Sequence, residues 1–547
     1  CSSDLKTLTS ILMMNLLFTM LTFGQAFDWA KASGGNGSDR AYAITADNDG
    51  NSYVTGWFEE TANFGDVVLI SEGGKDVFLA KYNSNGEVVW ATSAGGVGSN
   101  SAAGICMDWD EFPIITGWFS ETIHFGDIVL ESSGSYDMFV ARYNNNGEVI
   151  WAKSAGGEGD DYGNRITTNF EYDVLVSGSF RYTAQFGGGA SITSEGNRDI
   201  FVANYSNLGN FHWAINAGGK GEDRAYDIVS APNGDIYFTG MYNGKAFFGD
   251  HDIFSNSIVS SYIAKMDAGG NFIWVKNGTG GANDYSRGFG LSMDNEGYVC
   301  GNGFFSGSFS FGENTVTATG GPYDFDAYIV RYDSEGEFKW LNKAGGYGND
   351  QGFDLFTDND GNSYATGFFS SVAVFGDHVI ESQGESDIFI AKYNWAGEVE
   401  WAKRAGGIYQ DYGYGITAGN PEVGALYLCG DFEDVASFDD IELTGWGWGL
   451  FDMFTAKLLY ENDFIGESGH SFFKITPNPS SGVFDLEFSH LTKDVWLHIL
   501  DSKGKLITKK MLLANQNKII IETAMAAGIY TLFIPELGVS EKIVILR

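Results

Sequence analysis

Two stretches of the chain decide its fold: DNDGNSYVTGWF at residues 47–58 and DVFLAKYNSNGEVVWATSAGG at residues 76–96. They return almost unchanged as DNDGNSYATGFF at residues 358–369 and DIFIAKYNWAGEVEWAKRAGG at residues 387–407. In both copies apolar and polar residues alternate, and Asn, Asp and Gly, which tolerate turn conformations, separate the short runs. The pattern predicts short antiparallel strands joined by tight turns.

The repeat extends well beyond these two copies. One tryptophan recurs in the same setting, followed each time by a pair of glycines, with intervals of 61, 61, 62, 61, 66 and 61 residues. A unit of about 60 residues with four strands is typical of β-propeller blades, whereas a linear β-solenoid usually has shorter units. The recurring residues are Trp29, Trp90, Trp151, Trp213, Trp274, Trp340 and Trp401.

The strand count predicts how the array is closed. In the first unit we expect strands at residues 41–46, 51–58, 76–82 and 87–93. The seventh unit lacks a fourth strand, while a spare strand at 27–33 precedes the first unit. Pairing the two would close the array and remove its open sheet edges. The predicted fold is therefore all-β: a seven-bladed β-propeller of four-stranded antiparallel blades, with the N-terminal strand closing the last blade.

At this point the repeats resemble a known family, the SBBP repeats of seven-bladed β-propellers. The shared pattern is D-x-x-G-N-x-Y-V-T-G, then F-G, then D-x-F-[VIL]-A-K-Y and G-x-x-x-W. It covers residues 27–460, is clearest at residues 47–56 and 358–367, and is degraded in the seventh unit.

The two ends of the chain differ from the repeats. Residues 1–26 contain an apolar run typical of a signal peptide, for which a start site at Leu5 would give a normal length, so the start at Cys1 is expected to be misassigned. Residues 461–473 are the expected linker. Residues 474–547 resemble the type A sorting domain of the type IX secretion system, through PNPSSG at 477–482, LDSKG at 500–504 and AGIY at 527–530. This resemblance implies a small Ig-like β-sandwich that engages the secretion machinery, and a protein secreted or held at the outer surface of a Gram-negative bacterium.

Charge and composition restrict the partners. The net charge of −39 and the pI near 4.3 argue against a nucleic-acid ligand, because phosphates would be repelled. Nothing after the leader resembles a transmembrane helix, so none is expected in the mature protein.

One acidic position recurs just before the first strand of each unit, with Asn100 in the second. In a propeller these side chains would surround one mouth of the central channel and attract cations or a basic ligand. The alternative is that each caps backbone N–H groups in a loop. The candidate ligand-binding residues are Asp39, Asp161, Asp223, Asp284, Asp350 and Asp411.

A second acidic pattern lies in the turn between the first two strands. Asp47 with Asp49, and Asp358 with Asp360, resemble the opening of a calcium-binding loop, although its closing acidic residue is absent. Calcium is therefore the one possible cofactor, and plain hairpin turns are the alternative.

Aromatic residues give a third candidate. Trp446 and Trp448 interrupt the repeat pattern and are predicted to be exposed contacts. Other aromatics, such as Trp57 and Phe58, could stack on sugars, but the period-two pattern favours burial between blades.

No H-E-x-x-H, G-x-S-x-G or P-loop motif is present, which favours a protein that is not an enzyme. We expect a binding or adhesion module for glycan or protein ligands. The alternatives are a polysaccharide hydrolase or lyase with an acidic site at the channel mouth, and a structural surface protein without a specific ligand.

Overall fold

The computed structural model describes residues 25–321, 323–419, 424–447 and 449–460, and, towards the C-terminus, residues 473–476, 483–488, 495–500, 506–513, 518–522, 528–534 and 539–545. These residues fall into two compact units that divide between Tyr460 and Glu461. Every regular element in the described ranges is a β-strand. Within the same ranges, no helix is long and apolar enough to span a membrane.

The described repeat residues form seven four-stranded antiparallel arrays, here called sheets 1 to 7, each following the chain order of one unit. Sheets 1 to 4 comprise β2 (Asp39–Ala46), β3 (Ser52–Phe64), β4 (Val67–Tyr82) and β5 (Val88–Ala94); β6 (Asn100–Met107), β7 (Pro113–Phe119), β10 (Asp137–Tyr143) and β11 (Val149–Gly157); β12 (Tyr162–Thr168), β13 (Val174–Phe180), β16 (Asp199–Tyr205) and β17 (Phe211–Gly219); and β18 (Arg224–Ser230), β19 (Ile236–Tyr242), β22 (Ser260–Met266) and β23 (Phe272–Asn277).

Sheets 5 to 7 repeat this arrangement, and sheet 7 takes its fourth strand from the N-terminus. They comprise β25 (Ser286–Met293), β26 (Val299–Phe305), β29 (Asp326–Tyr332) and β30 (Phe338–Gly346); β31 (Gln351–Thr357), β32 (Ser363–Phe369), β35 (Asp387–Tyr393) and β36 (Val399–Gly407); and β37 (Asp411–Ala418), β38 (Ala425–Glu433), β41 (Phe451–Leu459) and β1 (Ala26–Gly35).

The pairing of the first strand with the last unit is the one that the sequence predicted. Strand β1 runs antiparallel to β41, with Phe27 opposite Leu458 and Ser33 opposite Met453. The first strands of successive sheets contact one another in order, and β37 of sheet 7 contacts β2 of sheet 1. The first strands, here called the inner strands, therefore follow one another in a continuous circuit of contacts.

The fourth strand of each sheet, here called the outer strand, leads into a glycine pair that hydrogen-bonds to a short hairpin of the next unit. The sequence did not predict this hairpin. In sheet 1 this hairpin is the end of β3 and the start of β4, and it pairs with the end of β1. Gly35 lies opposite Ala62, and a Cβ atom on Gly35 would lie 1.6 Å from the carbonyl oxygen of Thr61. The recurring glycine pair therefore leaves room for the neighbouring unit's backbone.

In later units this hairpin is separate from the long strands. The hairpin strands are β8 (Thr122–Phe125) with β9 (Ile128–Glu131), β14 (Thr183–Gly187) with β15 (Ala190–Thr193), β20 (Lys245–Phe248) with β21 (His251–Phe254), β27 (Ser308–Phe311) with β28 (Asn314–Thr317), β33 (Val372–Phe375) with β34 (His378–Glu381), and β39 (Val435–Phe438) with β40 (Ile441–Thr444); the two-residue β24 (Thr279–Gly280) joins β27.

The core lies between adjacent sheets. Both middle strands of sheets 3, 4 and 5 are buried along their whole length, because both faces of a sheet pack on neighbours. One buried cluster joins Val54 and Phe78 of sheet 1 to Tyr427 and Met453 of sheet 7.

Five of the recurring tryptophans join their sheet to the next through the indole N–H. The indole Nε1 of Trp29 donates to the carbonyl oxygen of Ser84 at 3.0 Å, in the turn between β4 and β5. Gly86 in that turn has φ 76°, and a Cβ atom on it would lie 2.6 Å from Trp29 Cδ2. Only glycine fits this close, left-handed position. The same indole bond joins Trp90 to Asn145, Trp151 to Asn207, Trp274 to Ser334 and Trp340 to Trp395.

The C-terminal unit is also built from antiparallel strands. One sheet contains β42 (Phe473–Thr476), β43 (Val483–Phe488) and β46 (Lys518–Glu522), and the other contains β44 (Val495–Leu500), β45 (Leu506–Leu512), β47 (Gly528–Ile534) and β48 (Val539–Ile545). Residues 1–24 of the predicted leader, residues 461–472 of the predicted linker, and the PNPSSG motif lie outside the described residues, whereas β1 begins at Ala26 and β42 at Phe473, the last positions of those two predicted segments.

Candidate functional site

The recurring aspartates lie at the start of the inner strands, but their carboxylates are buried. Asp39 Oδ2 accepts a hydrogen bond from the backbone N–H of Gly35 at 2.8 Å, and its Oδ1 accepts one from Glu59 N–H at 3.1 Å. The same pattern repeats at Asp161, Asp223 and Asp350, and Asp411 accepts from Gly407. These five residues are at most 1% exposed. The expected open acidic ring at a channel mouth is not formed, because the carboxylates cap loop N–H groups inside the protein.

Each buried carboxylate faces a second one from a neighbouring strand. A Cβ atom on Gly34 would lie 2.1 Å from Asp452 Oδ1 and 2.9 Å from Asp39 Oδ2, so both oxygens flank the same glycine. Asp452 Oδ2 accepts from Trp446 N–H, but Asp452 Oδ1 is buried without a hydrogen-bond partner. The equivalent pairs are Asp161 with Asp137, Asp223 with Asp199, Asp350 with Asp326, and Asp411 with Asp387.

Burial favours a proton in these pairs. Desolvation raises the pKa of Asp39 to about 8, and the nearby charge of Asp452 acts in the same direction. Burial likewise raises the pKa of Asp452 to about 6. A single proton between the two carboxyls would give the orphaned Asp452 oxygen a donor and remove one buried charge.

Two units depart from the pattern. In the second, the Asn100 Nδ2 donates to Asp76 Oδ1 at 3.2 Å, so a neutral amide supplies the donor that a protonated carboxyl would supply elsewhere. In the fifth, the prediction that Asp284 occupies the repeated position is wrong. Ser286 lies opposite Phe305 as Asp39 lies opposite Phe58. Asp284 lies two residues before Ser286, where it accepts a hydrogen bond from Gly281 N–H.

A set of aromatic side chains, here called the aromatic collar, lies three residues into the inner strands. Ring centroids are 5.2 Å apart between Tyr42 and Tyr414, 5.1 Å between Tyr414 and Phe353, 5.4 Å between Phe353 and Phe289, and 4.8 Å between Phe289 and Tyr226. All five rings are partly exposed. The second and third units have Ala103 and Asn164 at this position. Sequence reasoning missed the collar, although an aromatic residue three positions after the recurring Asp is visible once the units are aligned.

Three charged side chains occupy the next position of the inner strands. Arg165 Nε lies 3.8 Å from Asp227 Oδ1, and Asp354 belongs to the same electrostatic cluster. Burial raises the pKa of Asp227 to about 7, and the Arg165 charge opposes that rise. Other units have Gly104 and Gly290 here, where a Cβ atom would lie 2.9 Å from Arg165 Cα and 2.8 Å from Asp354 Cα. Small residues in the other units therefore leave room for this cluster, here called the charged cluster, which lies next to the collar position along the inner strands.

Arginines lie beside the collar, in a protein of net charge −39. Arg40 immediately follows Asp39, donates from Nη1 to Tyr414 Oη at 2.9 Å, and pairs through Nε with Asp431 at 3.2 Å. Arg224 occupies the same position in sheet 4 and Arg287 in sheet 5. These partly exposed side chains are cations, whereas the sequence analysis predicted exposed carboxylates at the start of the inner strands.

The carboxylates in the proposed calcium turns already accept hydrogen bonds from nearby backbone and side-chain groups. Asp47 Oδ1 accepts from the N–H groups of Asp49 and Asn51, and Asp47 Oδ2 accepts from Asn51 Nδ2 and Tyr53 Oη, all within 3.1 Å. The turn that contains Asp358 and Asp360 repeats these bonds. Among the described residues, no group of three or more His, Cys, Asp or Glu side chains is placed to hold a metal. Calcium binding at these turns stays a prediction.

The aromatic residues that the sequence singled out differ in exposure. Trp446 is 46% exposed, as an open contact requires, and Trp448 lies outside the described residues. Trp57 is buried, with Lys75 Nζ 3.5 Å from its ring centroid. Phe58 is buried as well, which agrees with the burial alternative.

Comparison with known proteins identifies the C-terminal region. Residues 474–546 match the family described as the secretion system C-terminal sorting domain. The C-terminal unit is therefore a sorting domain of the type IX secretion route, which indicates secretion and attachment at the cell surface.

The repeat region has a distant sequence relative. An uncharacterized WD repeat-containing protein of Acanthamoeba polyphaga mimivirus is 21% identical over 373 residues, covering 61% of this chain. The chain spans only 24% of that relative's length.

Two solved structures are similar at 10% identity. They are a luciferin-regenerating enzyme, with a TM-score of 0.32 over 80% of this chain and 95% of that one, and a mutant of Synechocystis apocarotenoid oxygenase, with a TM-score of 0.35 over 90% and 96%. Neither value supports the transfer of an activity to this chain.

Proposed function

We propose that residues 27–460 form a closed seven-bladed β-propeller of the SBBP type. Seven sheets of equal strand order, the pairing of β1 with β41 and the contact of β37 with β2 support this architecture. In such a ring, the inner strands line the central channel and the collar lies at one mouth.

We further propose that this propeller is a non-enzymatic binding module, exported by the type IX route to the outer surface of a Gram-negative bacterium, with glycan or protein ligands. The aromatic collar is the observation that carries this proposal. Partly exposed rings held in mutual contact offer apolar faces, and the adjacent arginines and tyrosine hydroxyls offer hydrogen bonds, which is the composition of many ligand sites.

The experiment is a glycan array probed with the full chain, alongside Phe353→Ala and Tyr226→Ala. Both changes remove one ring from the collar, and Trp395→Ala removes a ring that is 67% exposed in a distant turn. We expect binding to one class of glycan, reduced by both collar variants and unchanged by the control. Equal binding by all four proteins would rule out the collar as the site.

One observation favours polysaccharide cleavage as the second candidate. Asp227 and Asp354 directly follow the collar residues Tyr226 and Phe353 and interact through their charges, and the pKa of each is raised by burial, as a general acid requires. Release of new reducing ends or unsaturated products from the bound glycan, lost in Asp227→Asn, would establish an enzyme. Absence of both binding and cleavage would leave the structural role.

A further inference from the structure

We propose that a second surface, formed by the turns of sheets 2 and 3, binds a lysine- or arginine-bearing segment of a protein partner. Its centre is Trp109, Phe170 and Tyr172, here called the turn patch. These side chains are 52%, 58% and 52% exposed. Yet the centroid of Trp109 lies 5.3 Å from that of Phe170 and 5.6 Å from that of Tyr172. The patch is a contiguous aromatic surface in solvent.

The patch breaks the repeat at two defined turn positions. Trp109 and Phe170 replace a residue that is asparagine in three other units, and Tyr172 replaces a recurring glycine. Tyr172 keeps the glycine's left-handed backbone, with φ 70°, which is strained for an aromatic residue. Its exposed ring contributes little core packing to offset this strain. The repeat residues at the two positions are Asn48, Asn295 and Asn359, and Gly50, Gly234, Gly297 and Gly361.

Hydrogen bonds fix the patch before any ligand arrives. Trp109 Nε1 donates to the carbonyl oxygen of Asn169 at 3.2 Å, which joins the turn of sheet 2 to that of sheet 3. Asn169 Oδ1 accepts from the N–H groups of Glu171 and Asp173, each at 2.9 Å. A surface that is already ordered loses less conformational entropy on binding.

The charge around the patch selects a cation over a neutral sugar. The Asp110 side chain is 71% exposed and Glu171 is exposed, while Glu111 is partly exposed. The guanidinium of Arg142 is already paired with Asp108 and Asp110. Aromatic faces beside carboxylates attract ammonium and guanidinium groups through cation–π and Coulomb interactions.

The test restores the repeat residues without changing charge. The triple variant Trp109→Asn, Phe170→Asn and Tyr172→Gly removes three rings but keeps every carboxylate, so attraction to the overall net charge is the same in both proteins. The probe is a fluorescent peptide of alternating lysine and glycine, titrated into the full chain by anisotropy at about 0.15 M salt, where long-range attraction is screened. The single variant Tyr172→Gly relieves backbone strain, so it remains a test of the patch even if the triple variant does not fold. Trp395→Ala, which removes an exposed ring elsewhere, is the control.

We expect the triple variant to bind the peptide about tenfold more weakly, with Tyr172→Gly intermediate and the control unchanged. Melting temperatures of Tyr172→Gly at or above the parent value would show that lost affinity is not lost folding. Peptide binding that is equal in parent and triple variant would overturn the proposal. So would a neutral cello-oligosaccharide whose binding, unlike that of the peptide, depends on the patch. Neither result bears on ligand binding at the collar.

Discussion

The paired buried carboxylates lead to a prediction about stability: the effect of one substitution on the free energy of unfolding should change sign between pH 4 and pH 8. Replacing Asp39 by Asn puts a neutral amide opposite Asp452, the arrangement that the second unit already has with Asn100 opposite Asp76. The amide can donate to the orphaned Asp452 oxygen at any pH, whereas Asp39 can do so only while it holds a proton. We therefore expect Asp39→Asn to be less stable than the parent at pH 4 and more stable at pH 8.

The magnitudes follow from the raised pKa. Because the pKa of Asp39 is about 8 in the folded protein against 3.8 ordinarily, the folded state binds the proton more tightly, and the stability from this proton is complete below pH 4 and lost as the pH rises towards 8. At about 1.4 kcal/mol per pH unit, raising the pH from 4 to 7 removes on the order of 4 kcal/mol. The amide gives up one acceptor for a loop N–H, at a cost of about 1–3 kcal/mol that applies at every pH. Subtracting this cost from the loss in the parent leaves Asp39→Asn less stable than the parent by about 1–3 kcal/mol at pH 4 and more stable by about 1–3 kcal/mol above pH 7.

The assay is denaturant unfolding of the full chain between pH 4 and 9. Asp377→Asn, which removes an exposed carboxylate, controls for the change in net charge and should not alter the slope. Asn100→Asp provides the reverse change: it creates a further pair and should steepen the loss of stability with rising pH. Parallel stability curves for the parent and Asp39→Asn would refute the shared proton.

Three further outcomes are expected. Gly86→Ala should lower the free energy of unfolding by about 2 kcal/mol or more, since a left-handed backbone and the Trp29 ring exclude a Cβ atom; unchanged denaturant midpoints would contradict this. Arg165→Ala should destabilise by about 3–5 kcal/mol at pH 8 and by less at pH 5, where Asp227 is protonated; an equal loss at both pH values would mean that Asp227 does not titrate between them. Because both oxygens of Asp47 already have donors in the turn and on β3, and Lys81 forms an ion pair with Oδ2, a chelator should leave the melting temperature unchanged; a rise on adding calcium would revive the calcium hypothesis.

Local patterns predicted the strands but not what joins the units. The alternation at residues 76–82 and the turn at 83–86 lie where the sequence placed them. The glycine pair at 34–35 and the Phe-Gly marker at 64–65 were both visible as recurring motifs. The glycine pair hydrogen-bonds to Ala62 and Asn63, just before that marker, and this pairing across two units depends on how neighbouring sheets are placed, which no local periodicity contains.

The candidate site was harder to predict for the same reason. The acidic residue Asp39 was identified, but its burial and its facing partner Asp452 come from chain segments more than 400 residues apart. Counting from the glycine pair misplaced Asp284, because the fifth unit has a longer loop there than the others and register is set by the strand pairing of Ser286.

The bond between β1 and β41 also bears on biogenesis. The backbone N–H of Phe27 donates to Asp439, 412 positions later, and β1 pairs with β41, so the first strand of the repeats must wait for the last unit before its peptide groups are hydrogen-bonded. Any nascent or truncated product that ends before β41 keeps one orphan strand and one incomplete edge open to proteases. A product that contains both strands covers these edges, so we expect it to resist limited proteolysis better than one that ends before β41.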